Sequence, residues 1–363
     1  MRILELAYIA AVTLTTLTIF IFPVKNLPIK YGTYVAIIVL ATIHFAVDGF
    51  RWQMAPSYFL GILTLFLLKI REKNEYFFSA RWKRNSFILF LTFWIPITIF
   101  LPVLFPVFNL THPSGPYQSG RTFFSDAEVT VWYPTVEYSK KAPYFDEKNI
   151  EALQNNHQIP FFLLSYLKDV KTHSQEGVSL AIKEDKFPVI LLSHVFQDAN
   201  FLYTGIAEEL SSNGYIVVVT GQIANDQKHV INSLNQQSPI FKGKMDLTKI
   251  GVISHTEESS TDTFPKEEQV LATINMSQNR MIFEKKDTSY IATINGTKHM
   301  SFSDYYLYSP LLSILDKVNH REDQKIISSL ITQFFNKSFY GEKNTIFDNG
   351  KKTYYRLNIS NRK

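Results

Sequence analysis

The sequence predicts an α/β domain with a mainly parallel sheet, preceded by a membrane-spanning region of about four helices. Residues 1–108 consist largely of long apolar runs, whereas residues 109–363 alternate short apolar strands with helices and turn-rich loops. Strands that alternate with helices are typical of βαβ units, in which the strands run parallel. We therefore expect two domains that meet between residues 108 and 109.

The overall composition excludes several classes of function. The net charge of +5 is modest, and the basic residues form no long run outside one membrane loop, so nucleic acid is not an expected partner. The chain contains no cysteine, which excludes disulfides, thiol catalysis and cysteine-ligated metal sites. We expect no cofactor and no metal.

Four apolar segments are candidates for crossing a bilayer: Ile3–Val24, Tyr31–Val47, Met54–Leu68 and Ser86–Phe108. A spanning helix needs about 20 apolar residues. The first and last segments reach this length. The middle two are shorter and can span only if polar ends such as Tyr31, His44 and Ser57 lie at the interfaces. The first segment lacks a small-x-small cleavage site, so we interpret it as a retained span rather than a signal peptide.

The basic residues predict the orientation of these spans. The loop Lys69–Arg84 carries six lysines and arginines, and such loops face the cytoplasm. With four spans, the C-terminal domain then lies outside the cell membrane. The sequence thus predicts a multi-pass membrane protein with an extracytoplasmic C-terminal domain.

Three ionisable residues follow one another near the outer end of the second span: His44, Asp48 and Arg51. Ionisable groups at membrane depth can mark a transport or sensing site. Near the headgroups they can equally cap a helix and anchor it at the interface. Both interpretations stay open on the sequence alone, and the second is the better supported.

The C-terminal region shows short apolar strands separated by helical patterns. The strands are expected at Val189–Leu192, Tyr215–Thr220, Asp246–Ser254 and Ser289–Asn295, and the helices near 149–155, 161–170, 200–212, 304–318 and 321–340. The first of these strands, Val189–Leu192, is wholly apolar, as expected for a parallel strand that is covered on both faces of a sheet.

The stretch KIGVISHTEESS, residues 249–260, lies where a nucleophile elbow would follow a central strand. That motif is G-x-S-x-G, with the serine on a sharp turn between strand and helix. Ser254 and Glu258 occupy the two glycine positions here, and Thr256 occupies the serine position. Threonine keeps the hydroxyl and adds a methyl group at the tightest point of the turn.

Six stretches in order resemble landmarks of the platelet-activating factor acetylhydrolase family: HPSGPYQSGRTF, VTVWYPT, FPVILLSH, AEELSSNGYIVV, DLTKIGVISH and GTKHMSFSD. The resemblance is to bacterial membrane-anchored members, and it includes DGFRWQM in the spanning region. It implies an α/β-hydrolase fold and hydrolysis of a short acyl ester of a phospholipid, without a metal.

The resemblance also implies roles for five positions. His299 is the general-base position, Thr256 the nucleophile position and Ser277 the position of the acid. The backbone N–H groups of Phe196 and Glu257 would form the oxyanion hole, which depends little on side chains. One member of the Ser–His–Asp triad is therefore kept as its family residue, and the other two are substituted.

Two further departures bear on activity. Glu257 and Glu258 place carboxylates where negative charge develops during acyl transfer, which opposes the reaction. Only 43 residues separate Thr256 from His299, a spacing shorter than the family's by about one strand–helix unit, so we expect a shortened sheet. The conceivable substitutes for the missing triad members are Ser254, Ser259, Asp198, Asp262 and Asp287.

Three functions remain on the sequence alone. The first is an ester hydrolase that is weakly active or inactive, with membrane lipid or a small ester as its substrate. The alternative is a non-catalytic membrane protein that binds lipid or a partner protein. A transporter or sensor built on the spans rests only on His44, Asp48 and Arg51. Whether the chain is an enzyme stays open at this point.

Overall fold

The structure is a computed structural model. It describes residues 2–22, 30–125, 128–145, 161–194, 196, 199–221, 227–256, 270–286, 288–343, 345–348, 352–354 and 356–361. Its contacts divide the chain into two compact units. The first unit comprises Met1–Val107 and Pro160–Tyr166, and the second comprises Phe108–Ile159 and Leu167–Lys363.

The first unit contains four long helices: α1 (Ile3–Ile21), α2 (Lys30–Val47), α3 (Ala55–Lys73) and α4 (Arg81–Leu104). Of the described residues, three stretches are long and apolar enough to cross a membrane, namely Ile3–Ile21, Trp52–Lys73 and Arg81–Leu104. The apolar part of α2, Gly32–Val47, is shorter. Three spans are thus supported by length and composition, and the fourth stays a prediction.

Charged side chains meet at one end of these four helices. Arg51 forms an ion pair with Glu5, and the two side chains are 1% and 0% exposed. Arg51 also donates to the carbonyl oxygen of Phe105 at 2.6 Å. Beside them Arg2 lies 3.3 Å from Asp48. The sequence pointed to Arg51 and Asp48, and the structure adds Glu5 and Arg2 as their partners.

The second unit is built on one twelve-stranded sheet in the order β11-β12-β10-β9-β8-β7-β5-β6-β2-β1-β4-β3. Its strands are β1 (Gln118–Phe124), β2 (Val129–Thr135), β3 (Lys141–Pro143), β4 (Lys171–Glu176), β5 (Phe187–His194), β6 (Ile216–Thr220), β7 (Met245–His255), β8 (Val270–Ser277), β9 (Arg280–Lys285), β10 (Thr288–Ile294), β11 (Lys352–Tyr354) and β12 (Leu357–Asn361).

The remaining α-helices that the structure describes are α5 (Phe161–Leu164), α6 (Thr204–Ser212), α7 (Gln227–Gln237), α8 (Pro310–Asp316), α9 (His320–Tyr340) and α10 (Thr345–Asp348). Short 3₁₀ turns extend several of them, including Asn200–Tyr203 before α6 and His299–Phe302 after β10. The helix expected near residues 149–155 lies outside the described residues.

The prediction of a mainly parallel sheet is wrong. Parallel pairing joins β6, β5, β7 and β8 at the centre and β1 with β4, and the other seven pairings are antiparallel. The reason is connection length, because parallel neighbours need a long crossover whereas antiparallel strands can join through a two-residue turn. The α/β pattern of the sequence is therefore confined to the central strands.

The chain reverses directly after β8. Ser277 ends the strand, and Gln278 and Asn279 form a tight turn in which Gln278 has a φ of +51°. Strand β9 then runs back along β8 with Ser277 opposite Arg280. A hairpin, which the sequence pattern did not predict, thus follows β8 directly. Whether the sheet is shorter than in related proteins stays a prediction.

Strand β7 packs closely against α9 at Gly251. A Cβ atom at this position would lie 2.4 Å from Cε1 of Phe335, and both residues are buried. We expect Gly251→Ala to lower the free energy of unfolding by about 1–3 kcal/mol, the usual cost of overpacking a core. Chemical denaturation of the full chain in detergent measures this change.

A double-mutant cycle separates the contact from other effects of alanine. Phe335→Leu replaces the ring that the new methyl group would meet with a smaller aliphatic side chain. Gly251→Ala should therefore lower the free energy of unfolding less in that background. Equal costs in both backgrounds would show that the contact is not the cause.

Candidate functional site

Three parallel strands bring their carboxyl ends together at one edge of the second unit. His194 is the last residue of β5 and pairs in register with His255, the last residue of β7. His255 in turn pairs with Met276, next to Ser277 at the end of β8. Open α/β sheets bind their ligands beyond the carboxyl ends of such strands. The sequence-predicted positions Thr256 and Ser277 both fall here.

Thr256 continues the line of strand β7. Its backbone N–H donates to the carbonyl oxygen of Met276 at 3.2 Å, and its side chain is 5% exposed. The described non-glycine residues with positive φ are Glu128, Gln278, Lys286, Lys317 and Arg356, so Thr256 is not one of them. Thr256 itself therefore does not have the left-handed backbone that would mark a strained turn, and the residues that would complete a nucleophile elbow, from 257 onward, lie outside the described residues.

Ser277 occupies the acid position with a side chain that is 1% exposed. A serine hydroxyl carries no charge at neutral pH, so it cannot stabilise an imidazolium as a carboxylate does. Glu257, the other predicted oxyanion donor, lies outside the described residues. The same holds for Ser259, Asp198, Asp262 and Asp287.

His299 lies against His255, the residue before Thr256. The ring centroids of the two histidines are 4.1 Å apart with the ring planes at 35°. Phe196 closes the other side, with its ring 6.1 Å from His299 and 5.9 Å from His255. The structure thus brings together His299 and Phe196 from the predicted set around the end of β7.

A chain of hydrogen bonds ties the His299 turn to the sheet. Nε2 of His255 lies 3.1 Å from the carbonyl oxygen of His299, and because a carbonyl only accepts, Nε2 carries the proton. Nδ1 of His255 then accepts from the hydroxyl of Tyr203 at 2.5 Å. Both ring nitrogens of His255 are therefore engaged in holding the turn.

Burial favours the neutral form of two histidines in this cluster. Burial lowers the pKa of His255 well below its ordinary value, and the neighbouring His299 lowers it further. Burial likewise lowers the pKa of His194 to about 4, against a hydrogen bond to Asn200 that raises it. Nε2 of His194 donates this bond to the side-chain oxygen of Asn200 at 2.9 Å. His194 and His255 therefore take part in hydrogen bonds as uncharged imidazoles.

The sequence did not identify Tyr203 and Asn200 as site residues. Both lie in the 3₁₀ turn Asn200–Tyr203 that leads into α6, and Tyr203 stacks on His194 with ring centroids 4.6 Å apart. A signal was available in the sequence. His194 and His255 each end an apolar strand, and parallel neighbours place such ends side by side.

Two buried carboxyls lie close to this region, and neither is bound to His299. Asp304 accepts from the backbone N–H of Gly205 at 3.2 Å. Glu208 accepts from both the backbone N–H and the hydroxyl of Ser174, at 2.7 and 2.6 Å. Burial raises the pKa of Asp304 well above its ordinary value and that of Glu208 to about 7. Asp304 thus holds the start of α6, and Glu208, which lies on α6, holds that helix to β4.

The described residues contain no group of three or more His, Asp or Glu side chains placed to hold a metal ion. His255 packs against His299 with the ring planes at 35°, and His194 stacks on Tyr203.

Comparison with known proteins gives one family match. A family model described as platelet-activating factor acetylhydrolase, isoform II, matches residues 118–239. Residues 118–239, within the second unit, are therefore similar to this family. The second unit has an α/β-hydrolase-like fold, as the sequence landmarks predicted.

The match has a boundary that matters for the site. It runs from β1 to the end of α7 and so includes His194, Phe196 and Tyr203. It does not extend to Thr256, Ser277 or His299. The assignment of those three positions therefore rests on the sequence resemblance and stays a prediction.

Two further comparisons give no information about function. Ferulic acid esterase from Streptomyces cinnamoneus superposes with a TM-score of 0.48 at 14% identity, over 70% of this chain and 99% of that protein. A likeness at that level carries no inference about function. No curated protein matches the chain.

Proposed function

We propose that this protein is a membrane-anchored relative of the platelet-activating factor acetylhydrolases. It binds an acyl ester or lipid at the cluster formed by His194, Phe196, His255 and His299, called the strand-end cluster below. It hydrolyses that ligand weakly or not at all. One observation carries the proposal. The N–H of Thr256 is hydrogen-bonded across to β8 and its φ is not positive, which favours an extended backbone at this residue over the strained backbone of a nucleophile elbow.

The remaining parts of the reaction point in the same direction. Ser277 cannot supply the charge of the missing aspartate, and Glu257 adds a carboxylate next to the expected oxyanion. Removing the nucleophile alone eliminates most of the rate enhancement of a triad. Ligand binding does not need the triad, and the cluster keeps apolar walls in Phe196 and Phe302, whose ring lies 5.7 Å from that of His255.

The competing function is retained catalysis with Thr256 as nucleophile and His299 as general base. Threonine can act as a nucleophile when a base activates it, and His299 lies beside the residue that precedes Thr256. A transporter or sensor built on the first unit is a third possibility, supported only by its charged residues.

The location in the membrane is part of the proposal. Three described helices are long and apolar enough to span, and the basic loop Lys69–Arg84 favours a cytoplasmic position for the α3–α4 connection. The second unit would then lie outside the cytoplasm. Accessibility of an added glycosylation or protease site in intact cells tests this orientation.

Hydrolysis separates the two main functions. Full-length protein in detergent should turn over p-nitrophenyl acetate at the rate of the detergent blank, and Thr256→Ala should leave that rate unchanged, because the hydroxyl is not held for attack. Thr256→Ser should bring no gain, since the strand backbone stays as it is. A continuous absorbance assay measures all three proteins.

A matched variant, Thr248→Ala, replaces an exposed threonine elsewhere. Saturable turnover that Thr256→Ala and His299→Ala each reduce by about 100-fold or more, with Thr248→Ala unaffected, would establish catalysis instead. In the binding arm, a short-chain phosphatidylcholine should raise the melting temperature of the wild type, and His299→Ala should reduce that rise.

A further inference from the structure

The second unit contains a cavity of about 800 Å³ outside the strand-end cluster. Its walls come from residues 109–114, from α6 and from α9. None of the strand-end residues His194, His255 and His299 is among the described residues that line it. Small-molecule sites are clefts of about 300–1,000 Å³, so the cavity is large enough for a ligand of its own.

Helix α9 supplies a polar wall. His320, Gln324, Ser328 and Thr332 follow one another at intervals of four and all line the cavity. This spacing places the four side chains on one face of the helix. A helix packed on a sheet normally turns apolar residues inward, yet His320 and Thr332 are only 5% and 8% exposed. The side of α9 that faces the cavity is therefore polar, next to the apolar side that packs on the sheet through Phe335.

Two of these groups are unpaired. Neither ring nitrogen of His320 nor the hydroxyl of Thr332 has a hydrogen-bond partner among the described residues. Buried polar atoms are almost always paired, and leaving one unpaired is costly. Gln324, between them, is held by its amide nitrogen, which donates to the carbonyl oxygens of Ser301 and Ser303. The wall thus offers hydroxyl, imidazole and amide groups suited to a hydroxylated ligand.

The rim of the cavity is positively charged. Arg321 and Lys325, one turn apart on α9, are exposed at its edge. The acids that follow Arg321, Glu322 and Asp323, are paired with Arg356.

Two acids lie across the cavity, and both are engaged within the protein. Glu209 accepts hydrogen bonds from the backbone N–H and the hydroxyl of Ser114, and Asp304 accepts from the backbone N–H of Gly205. Arg321 and Lys325, in contrast, are exposed at the rim. Two exposed cations beside a polar wall complement a molecule with hydroxyl groups and one anionic end.

We propose that the α9 cavity is a binding site for a small polyol phosphate, with the phosphate held by Arg321 and Lys325 and the hydroxyl groups placed along His320, Ser328 and Thr332. The site is separate from the strand-end cluster and does not depend on its chemistry. The same chemistry occurs in free glycerol 3-phosphate and in the headgroup of phosphatidylglycerol.

The test uses the full chain and two probes. Calorimetric titration with glycerol 3-phosphate is carried out in lauryldimethylamine oxide, a detergent without hydroxyl groups, and melting temperatures are compared in phosphatidylglycerol and phosphatidylcholine nanodiscs. The double variant Arg321→Gln/Lys325→Gln should weaken phosphate-dependent binding about tenfold or more, since charge-assisted hydrogen bonds are lost. Thr332→Val should weaken binding by a smaller factor.

The control is Lys242→Gln/Lys343→Gln, which removes the same charge from exposed positions outside the cavity and should leave binding unchanged. Binding of glycerol 3-phosphate that the cavity variant weakens supports the proposal for a free ligand. A melting-temperature rise confined to phosphatidylglycerol, and lost in the cavity variant, supports it for a lipid headgroup. Binding of neither probe, or equal effects of the two double variants, overturns it.

Discussion

Replacing Arg51 by methionine should destabilise the first unit by about 3–5 kcal/mol, because it leaves the Glu5 carboxylate buried without its counter-charge. Arg51 and Glu5 are 1% and 0% exposed and form an ion pair. Arg51→Met also removes the donor to the carbonyl of Phe105. Unfolding by sodium dodecyl sulfate from mild detergent micelles, followed by circular dichroism, measures the loss.

Removing both charges should recover most of that stability. The double variant Glu5→Leu/Arg51→Met removes both charges of this pair. Replacing a buried ion pair by apolar residues often leaves stability unchanged. Arg2→Met is the control, since its partner Asp48 is in a more exposed pair, and we expect a cost of no more than about 1 kcal/mol. A double variant as unstable as Arg51→Met alone would show that the pair is not the source of the effect.

The second large effect is a dependence of stability on pH that Glu208 contributes. Burial raises the pKa of Glu208 from 4.5 to about 7 in the folded protein. The folded state therefore binds the proton more tightly, and the stabilisation is complete below pH 4.5 and is lost as the pH rises to about 7. The loss amounts to about 3 kcal/mol at 1.36 kcal/mol per pKa unit.

Glu208→Gln isolates this contribution, since glutamine does not titrate. The buried histidines His194, His255 and His320 have lowered pKa values, so they give the opposite slope, but both proteins share it. We expect the stability difference, wild type minus variant, to fall by about 3 kcal/mol between pH 4.5 and pH 7. Urea unfolding at several pH values measures it, and a difference that is constant with pH would contradict the assignment.

Much of the fold could be predicted from local patterns. The apolar segments gave helices α1 to α4, and the wholly apolar runs gave β5, β6 and β7, because burial on both faces leaves a continuous apolar stretch. The hairpin from β8 to β9 was missed. Its turn, Gln278–Asn279, contains no glycine or proline, and Gln278 takes a positive φ that glutamine does not favour.

The candidate site also has some residues that the sequence pointed to and others that only the structure could place. The resemblance of the sequence pointed to Thr256 and His299 as neighbours around one strand end, and the structure places His299 against the adjacent His255. Tyr203 could not be assigned, because its hydrogen bond to His255 joins residues 52 positions apart. Such a pairing depends on the order of strands in the sheet, which no local pattern contains.

The sequence by itself determined that the chain has an apolar helical region and an α/β domain. These are properties of residue type and periodicity, which need no long-range information, whereas the triad positions were expected only from the family resemblance. The tertiary structure decided the rest: the antiparallel flanks of the sheet, the hydrogen bond from Thr256 to β8, the buried histidines at the strand ends and the polar side of α9 that faces the cavity. Each depends on which distant segments exclude water from one another, since burial sets both the hydrogen-bond partners and the pKa values of these groups.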